Sequence, residues 1–144
     1  MKPVLLLLSN RYRDDQALAT RAFSEAAPDR RLVFVRSVEE LNAYLEHSGS
    51  FSGASASPRP GIIVLDVSLS EPEGQEALRT IKSNPEYRRL PVLVLSNARK
   101  DEEVFDTYDA GVNAFIDRPA TYDEWYRLAN GINGFWYKIA RLPD

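Results

Sequence analysis

Three polar residues, Ser9, Asn10 and Arg11, follow directly on the first apolar run of the chain, Val4 to Leu8. Ligands of α/β proteins bind outside the carboxyl ends of buried strands, so a hydroxyl, an amide and a guanidinium at this place are candidates for a binding site. A flavin phosphate would need a loop rich in glycine and hydroxyl groups, whereas residues 9–15 contain no glycine. The sequence therefore argues against a flavin binder, and the chemistry depends on which other strand ends lie beside these residues.

Five short apolar runs alternate with segments of helical periodicity, which is the pattern of βα units around a parallel sheet. Runs rich in Val, Ile and Leu are typical of strands covered on both faces. The expected domain is a single (βα)5 unit over residues 1–144, with a flexible Gly-, Ser- and Pro-rich insert at about 49–61. We predict strands at Val4 to Leu8, Leu32 to Val35, Ile62 to Leu65, Val92 to Leu95 and Ala114 to Ile116, and helices over 14–27, 38–47, 74–83, 101–110 and 122–140.

The composition limits the classes of function. A chain of 144 residues that is 44% hydrophobic is large enough for one domain with a real core. Its net charge of -3, without clustered Lys and Arg, argues against nucleic-acid binding, and the lack of cysteine excludes disulfides and cysteine-ligated metals. The apolar run near the start is shorter than the roughly 7–15 residues of a signal-peptide core, and no run reaches about 18 apolar residues. We therefore expect a cytoplasmic protein that does not contact a membrane.

Residues 61–119 contain motifs of a known family. The segments GIIVLDVSLSEPEGQEALRTIKSNPEYRRLPVLVLS and YDAGVNAFIDRP closely resemble the receiver domains of two-component response regulators, the CheY-like superfamily. In that family an aspartate ends the third strand, a Ser or Thr ends the fourth, and a Lys-Pro pair follows the fifth. Asp66, Ser96 and Arg118-Pro119 hold these positions, and their separations of 30 (96 − 66) and 22 (118 − 96) match the family pattern. Together with the late INGFW, the second segment is most similar to small single-domain regulators associated with phytochrome-type kinases.

The resemblance implies a flavodoxin-like, doubly wound α/β fold with five parallel strands in the order 2-1-3-4-5. It also implies that Asp66 accepts a phosphoryl group from a histidine of a partner kinase, so the protein is expected to be a signalling partner and not an enzyme. Mg²⁺ would be held by Asp66, by acidic residues after the first strand and by the backbone carbonyl of Ser68. Ser96 would bind the phosphoryl oxygens, and Phe115 would turn inward with Ser96 as a switch.

Two departures from the family pattern affect this pocket. The family's acidic pair falls on Ser9 and Asn10, so both carboxylates are missing. Mg²⁺ is usually bound through one or two carboxylates, and each one lost near a divalent ion forfeits gross attraction on the order of 8 kcal/mol at 4 Å with effective dielectric 20. Arg118 replaces the lysine, and its planar fork suits bidentate pairing with Asp66. We therefore expect no cofactor and no metal, or Mg²⁺ only weakly through Asp66, and we expect the Arg118–Pro119 bond to be a candidate for the cis isomer.

Three other polar residues have a simpler structural interpretation. Asp14 and Asp15 could be displaced metal ligands, but they more simply belong in the first helical turn, where carboxylates favour the positive end of the helix dipole. His47, the only histidine, is expected on the surface.

The last predicted helix carries more aromatic residues than a small helix usually buries. Its apolar residues recur at spacings of three and four, which predicts an amphipathic helix: Trp125, Leu128, Ile132, Phe135, Trp136 and Ile139. Because aromatic residues are enriched at protein contacts, four residues are candidates for an interface: Tyr122, Trp125, Tyr126 and Trp136. In the family such contacts use the face of the fourth helix, fifth strand and fifth helix, so we expect docking or a homodimer there.

We predict a response-regulator receiver protein of a two-component phosphorelay, with a histidine kinase or another signalling protein as its partner. Because the acidic pair is missing, we expect impaired Mg²⁺-dependent phosphorylation of Asp66 and action through protein–protein contact. The alternative is a fully competent receiver that a histidine kinase phosphorylates at Asp66.

Overall fold

The computed structural model describes residues 3–8, 15–49, 58–67, 71–96 and 111–142, with the backbone alone at residues 5–8. Several predicted features lie outside the described residues. They are the pocket residues Ser9, Asn10, Arg11 and Ser68, together with Asp14, positions 50–57 of the insert and the helix predicted over 101–110.

The described strands form one parallel sheet in the order β2-β1-β3-β4-β5. Every residue of β3 and of β4 is buried, as expected for apolar runs covered on both faces. Leu8 lies opposite Asp66, and Ser96 lies opposite Asp117, so the carboxyl ends of these strands meet at one edge of the sheet. The predicted parallel α/β sheet is confirmed, with strands β1 Val4–Leu8, β2 Leu32–Val35, β3 Ile62–Asp66, β4 Val92–Ser96 and β5 Ala114–Asp117.

Helices cover both faces of the sheet, and β3 contributes to both cores because alternate residues of a strand point to opposite faces. Ile63 and Leu65 belong to the core beneath α2 and α3. Ile62 and Val64 belong to the core beneath α1 and α4. In the described part of the chain, no helix is both long and apolar enough to cross a membrane. The helices are α1 Gln16–Ala26, α2 Val38–Leu45, α3 Pro72–Ser83 and α4 Tyr122–Gly131, the last being the fifth predicted helix.

The start of helix α4 resembles a capping box, in which two side chains satisfy backbone donors reciprocally, except that Glu124 contacts the residue before the N-cap Thr121. The Thr121 side chain accepts a hydrogen bond from the Glu124 backbone N–H at 3.2 Å, and Glu124 Oε1 accepts one from the Ala120 N–H at 3.1 Å. Only Pro119 and Ala120 separate Arg118 from this cap. The cap therefore fixes where Arg118 stands relative to helix α4.

The C-terminal segment differs from the single helix predicted over 122–140. Helix α4 ends at Gly131, and a π-helical segment, Ile132–Tyr137, follows it. The wider turn of a π-helix changes which residues face inward. Asn133 is buried, whereas Phe135 is 51% and Ile139 is 76% exposed. The predicted α-helix therefore does not continue through residues 132–140, because a spacing of three and four residues describes α-helical geometry and the segment Ile132–Tyr137 is π-helical.

Side-chain contacts hold the π-helical segment at the amino end of the sheet. The Asn133 side chain accepts a hydrogen bond from Arg30 Nε at 3.2 Å and donates one to Asp29 Oδ1 at 3.1 Å. The Tyr137 hydroxyl donates to the Pro3 carbonyl at 2.9 Å, and a Cβ added at Gly61 would lie 2.7 Å from that hydroxyl. Gly61 is thus required for the close approach of the ring. It is also buried, so this end of the predicted flexible insert is packed into the fold.

Candidate functional site

The carboxyl edge of the sheet holds a buried ion pair between Asp66 and Arg118. Asp66 ends β3 and is 1% exposed, and Arg118 directly follows β5 and is 8% exposed. Arg118 Nε lies 2.9 Å from Oδ1 and 3.1 Å from Oδ2 of Asp66. The predicted pairing is confirmed. The geometry differs from the expected bidentate pairing, in which two guanidinium nitrogens would each contact one oxygen. Here the single nitrogen Nε contacts both carboxylate oxygens.

The rest of the guanidinium contacts two further groups. Nη1 donates a hydrogen bond to the Pro119 carbonyl at 3.0 Å, and Nη2 lies 2.8 Å from Asp15 Oδ2. Asp15 precedes helix α1 as its N-cap, but its side chain makes no capping hydrogen bond. Asp15 thus stands at the amino end of helix α1, one position before the predicted first turn, and its carboxylate also contacts Arg118. Asp15 is a site residue that sequence reasoning missed, and its only sequence signal was an acidic side chain close after the first strand.

Burial raises the pKa of Asp66 from 3.8 to about 6. The main cause is desolvation of the carboxylate, which outweighs the lowering of this pKa by Arg118, and the Asp15 charge raises the pKa further. Asp66 is therefore mostly ionised at neutral pH and paired with Arg118. Since the folded pKa exceeds the unfolded one, the contribution of Asp66 to stability is greatest below about pH 4 and is lost as the pH rises through about 6.

Two further predicted pocket residues, Ser96 and Pro119, lie close to this ion pair. Ser96 is buried, and its carbonyl accepts a hydrogen bond from the Arg118 backbone N–H at 3.1 Å. Pro119 is buried as well, and Phe115 is half-buried on β5. His47, which the sequence placed at the surface, is exposed after helix α2. The structure thus brings Asp66, Ser96, Arg118 and Pro119 together at one edge.

The Arg118–Pro119 peptide bond is trans, so the expectation of a cis bond is wrong. The trans isomer of an X-Pro bond is intrinsically favoured by about 0.5–1 kcal/mol, and the motif alone supplies no contact that would reverse this preference.

Trp125 lies beneath Arg118 and is fully buried. The Arg118 Cζ is 5.7 Å from the Trp125 ring centroid, within the range of a cation–π contact. The prediction that Trp125 contacts a partner is wrong, because packing of α4 against α1 and the sheet covers the indole. Tyr126 is 41% exposed, while Tyr122 and Trp136 are half-buried.

Within the described ranges, no group of three or more His, Cys, Asp or Glu side chains is arranged to hold a metal ion. The two carboxylates described beside Arg118, those of Asp15 and Asp66, both contact its guanidinium. The guanidinium cation of Arg118 thus already contacts the carboxylate oxygens that a metal ion would need as ligands.

Comparisons with known proteins confirm the resemblance seen in the motifs. The family model of the response regulator receiver domain matches residues 13–129. Response regulator Rcp1 of Synechocystis sp. is 29% identical over 141 residues, which cover 98% of this chain and 94% of Rcp1. The structure of the phosphorylated cyanobacterial phytochrome response regulator RcpA matches with a TM-score of 0.81 at 34% identity over 99% of both chains. Response regulator RPA3017, in red light signaling of R. palustris, matches in fold with a TM-score of 0.86 at 24% identity over 100% of this chain and 99% of its own.

Proposed function

This chain belongs to the response regulator receiver domain family, and we propose its function from that membership. The protein takes part in two-component signalling as one receiver domain over residues 1–144. Its Mg²⁺-dependent phosphorylation is impaired, and it acts by protein–protein contact with a histidine kinase or another signalling protein. The observation that carries this proposal is the contact of Arg118 Nε with both oxygens of Asp66.

The donor set at this edge does not fit Mg²⁺. The ion prefers sites with one or two free carboxylates, yet the positions of the family's acidic pair are Ser9 and Asn10. The third carboxylate of the family's site, Asp66, is paired with Arg118, whose side chain is 5% exposed. A metal ion at Asp66 would have to break the contacts of Arg118 Nε with both oxygens, leaving Asp15 as the one described carboxylate beside the guanidinium, and would add a second cation next to it, which is unfavourable. We therefore propose that the pocket uses no cofactor and binds Mg²⁺ weakly at best.

Arg118 also restrains the chemistry of Asp66. A phosphoryl group would be attacked by a carboxylate oxygen, and both oxygens accept a charge-assisted contact from Nε. Such contacts are about twice as strong as neutral hydrogen bonds, so they stabilise the unreacted carboxylate. Asp66 keeps the position of the phosphoacceptor, but in a conformation that favours pairing over reaction.

One observation favours the alternative of a fully competent receiver. The similar protein RcpA was crystallised in its phosphorylated form, and it is 34% identical over nearly the whole chain. Asp66 and Ser96 occupy the two central positions of the family motif. In this alternative Arg118 would release Asp66 and bind the phosphoryl oxygens instead, as arginine does readily.

Thermal melting and intact mass distinguish the two functions. With Mg²⁺ and beryllofluoride, a phosphoryl mimic, we expect no rise in Tm, and with acetyl phosphate we expect no stoichiometric adduct. A ligand bound only by the folded state at 100 times its Kd adds about 2.7 kcal/mol of stability, which would be easily seen. Asp66→Asn is the matched control. A rise in Tm of several degrees, or an adduct that Asp66→Asn abolishes, would establish the competent receiver.

The reverse experiment restores the family's residues. The triple variant Ser9→Glu, Asn10→Asp and Arg118→Lys is expected to bind Mg²⁺ and to gain the rise in Tm that the natural chain lacks. If the triple variant folds and still does not respond, the missing carboxylates and Arg118 are not what closes the site.

We also propose that the protein forms a homodimer through β5, helix α4 and the helix expected over 101–110. The exposed Tyr126 and its neighbour Tyr122, 6.1 Å away between ring centroids, supply aromatic surface on α4.

Sedimentation velocity at micromolar concentration tests this interface. We expect Tyr126→Ala to shift the protein toward the monomer, whereas Phe135→Ala, which truncates an exposed aromatic beyond α4, should not. A wild-type protein that is monomeric would refute the dimer. A dimer sensitive only to Phe135→Ala would move the interface to the π-helical segment.

A further inference from the structure

Arg118 joins three elements of the fold at one guanidinium. Nε contacts Asp66 at the end of β3, and Nη2 contacts Asp15 at the start of helix α1. The ring of Trp125, on helix α4, lies 5.7 Å from Arg118 Cζ. Between the pocket carboxylate and the buried indole there is thus one rigid, planar cation.

The two carboxylates that contact Arg118 differ in their exposure to solvent. The Asp66 side chain is 1% exposed, whereas the Asp15 side chain is 30% exposed. If Asp66 loses its negative charge, the Nε contact weakens, while Asp15 keeps its charge and its 2.8 Å contact with Nη2. The guanidinium can then turn toward Asp15, its second anchor. The Arg118 side chain thus has two arrangements, one in contact with both carboxylates and one in contact with Asp15 alone.

Trp125 is placed to respond to such a rearrangement. It is fully buried between α1, the sheet and its own helix, so a movement of the Arg118 guanidinium above the ring changes the environment of the indole. Its indole Nε1 has no hydrogen-bond partner among the described residues. Trp125 can therefore gain a polar contact without breaking one, and buried polar groups without a partner are rare in native structures.

We propose that Arg118 and Trp125 transmit a change of charge at Asp66 to helix α4, with Asp15 as the second anchor of Arg118. This route is different from the Ser96 and Phe115 switch that the family resemblance implies. It requires only a change of charge at Asp66, so it holds whether or not Asp66 is phosphorylated in the cell. Helix α4 also carries the exposed Tyr126, so the pocket would be coupled to a surface residue.

Tryptophan side-chain N–H resonances in a ¹H–¹⁵N NMR spectrum test the route. The chain has two tryptophans, and Trp136→Phe assigns the Trp125 resonance. We expect Asp66→Asn, which removes the charge while keeping the shape, to shift the Trp125 resonance and leave that of Trp136 in place. In an Arg118→Met background the same Asp66→Asn change should no longer shift Trp125. Ser96→Ala is the matched control and should leave the shift intact.

A Trp125 resonance that does not move with Asp66→Asn would overturn the proposal. So would an equal shift in the Arg118→Met background, or a shift abolished by Ser96→Ala. Should Arg118→Met fail to fold, Arg118→Lys takes its place, because lysine keeps Asp66 paired but has no planar fork to span both carboxylates above the indole. In that background an undiminished shift contradicts the route, and a shift reduced to less than half supports it.

Discussion

Arg118→Met is expected to lower the free energy of unfolding by about 3–5 kcal/mol at pH 8, because removing one partner of a buried ion pair leaves an uncompensated charge. Methionine retains much of the length and apolar bulk of the arginine stem, so the loss reports on charge and hydrogen bonding more than on packing. The charge left behind is that of Asp66, which is 1% exposed. Urea unfolding of the wild type and the variant measures the difference.

The loss should depend on pH in a defined direction. Burial raises the pKa of Asp66 to about 6, and removing Arg118 raises that pKa further. At pH 5 the folded states of both proteins then hold Asp66 mainly protonated, so the charge penalty of the variant is small. At pH 8 the variant must either keep a buried charge or bind a proton that the unfolded chain does not hold. We therefore expect a clearly smaller destabilisation at pH 5 than at pH 8.

Two controls separate the buried pair from a general effect of the substitution. Arg118→Met with Asp66→Asn should recover most of the lost stability, because the buried carboxylate is then neutral and the charge that remains is that of Asp15, whose side chain is 30% exposed to solvent. Arg21→Met makes the same change in an exposed pair with Glu25, where side-chain exposures are 66% and 49%, and should cost at most about 1 kcal/mol. Equal destabilisation at both pH values, or no recovery in the double variant, would contradict the ion-pair account.

Trp125→Ala is expected to destabilise the fold by about 3–5 kcal/mol, the range for truncating a large buried aromatic. Trp125 is fully buried and packs in the core beneath α1 and α4, with neighbours that include Phe23 and Leu95. Trp125→Phe should lose much less, since the indole Nε1 has no hydrogen-bond partner among the described residues. Thermal and urea unfolding below the concentration of self-association measure both variants.

The adjacent residue provides a matched control. Tyr126 is on the same helix and is 41% exposed, so Tyr126→Ala should change the free energy of unfolding by no more than about 0.5 kcal/mol. If Trp125→Ala unfolds no more easily than Tyr126→Ala, Trp125 is not a core residue and the packing described for α4 is incorrect.

The strands could be predicted because burial on both faces makes a parallel strand apolar along its whole length. Each predicted strand overlaps an observed one; β5 extends by Asp117, and β3 and β4 also extend by one polar residue each, Asp66 and Ser96. These two residues and Arg118 were identified through the resemblance to receiver domains, whose motif places a polar residue at the ends of strands that meet at one edge of a parallel sheet. The positions of Asp66, Ser96 and Arg118 were thus predictable from the sequence.

The contact between Asp15 and Arg118 could not be predicted in this way. The two residues are 103 positions apart (118 − 15), and no local pattern connects the start of α1 with the end of β5. The same limit applies to Trp125. Helical periodicity identified an apolar face, but which aromatic on α4 is covered depends on how closely α1 packs against it.

The sequence by itself determined the order of the described strands and helices along the chain, because apolar periodicity is a property of neighbouring positions. It also determined the chemical identity of the pocket residues, because the family motif fixes their spacing along the chain. Only the tertiary structure decided how Arg118 is shared between Asp66 and Asp15, and where the α-helical register ends. The π-helical segment after Gly131 is fixed by contacts of Asn133 and Tyr137 with distant parts of the chain. Hydrogen bonds and ion pairs between remote residues exist only once the chain is folded, and so they leave no periodic trace in the sequence.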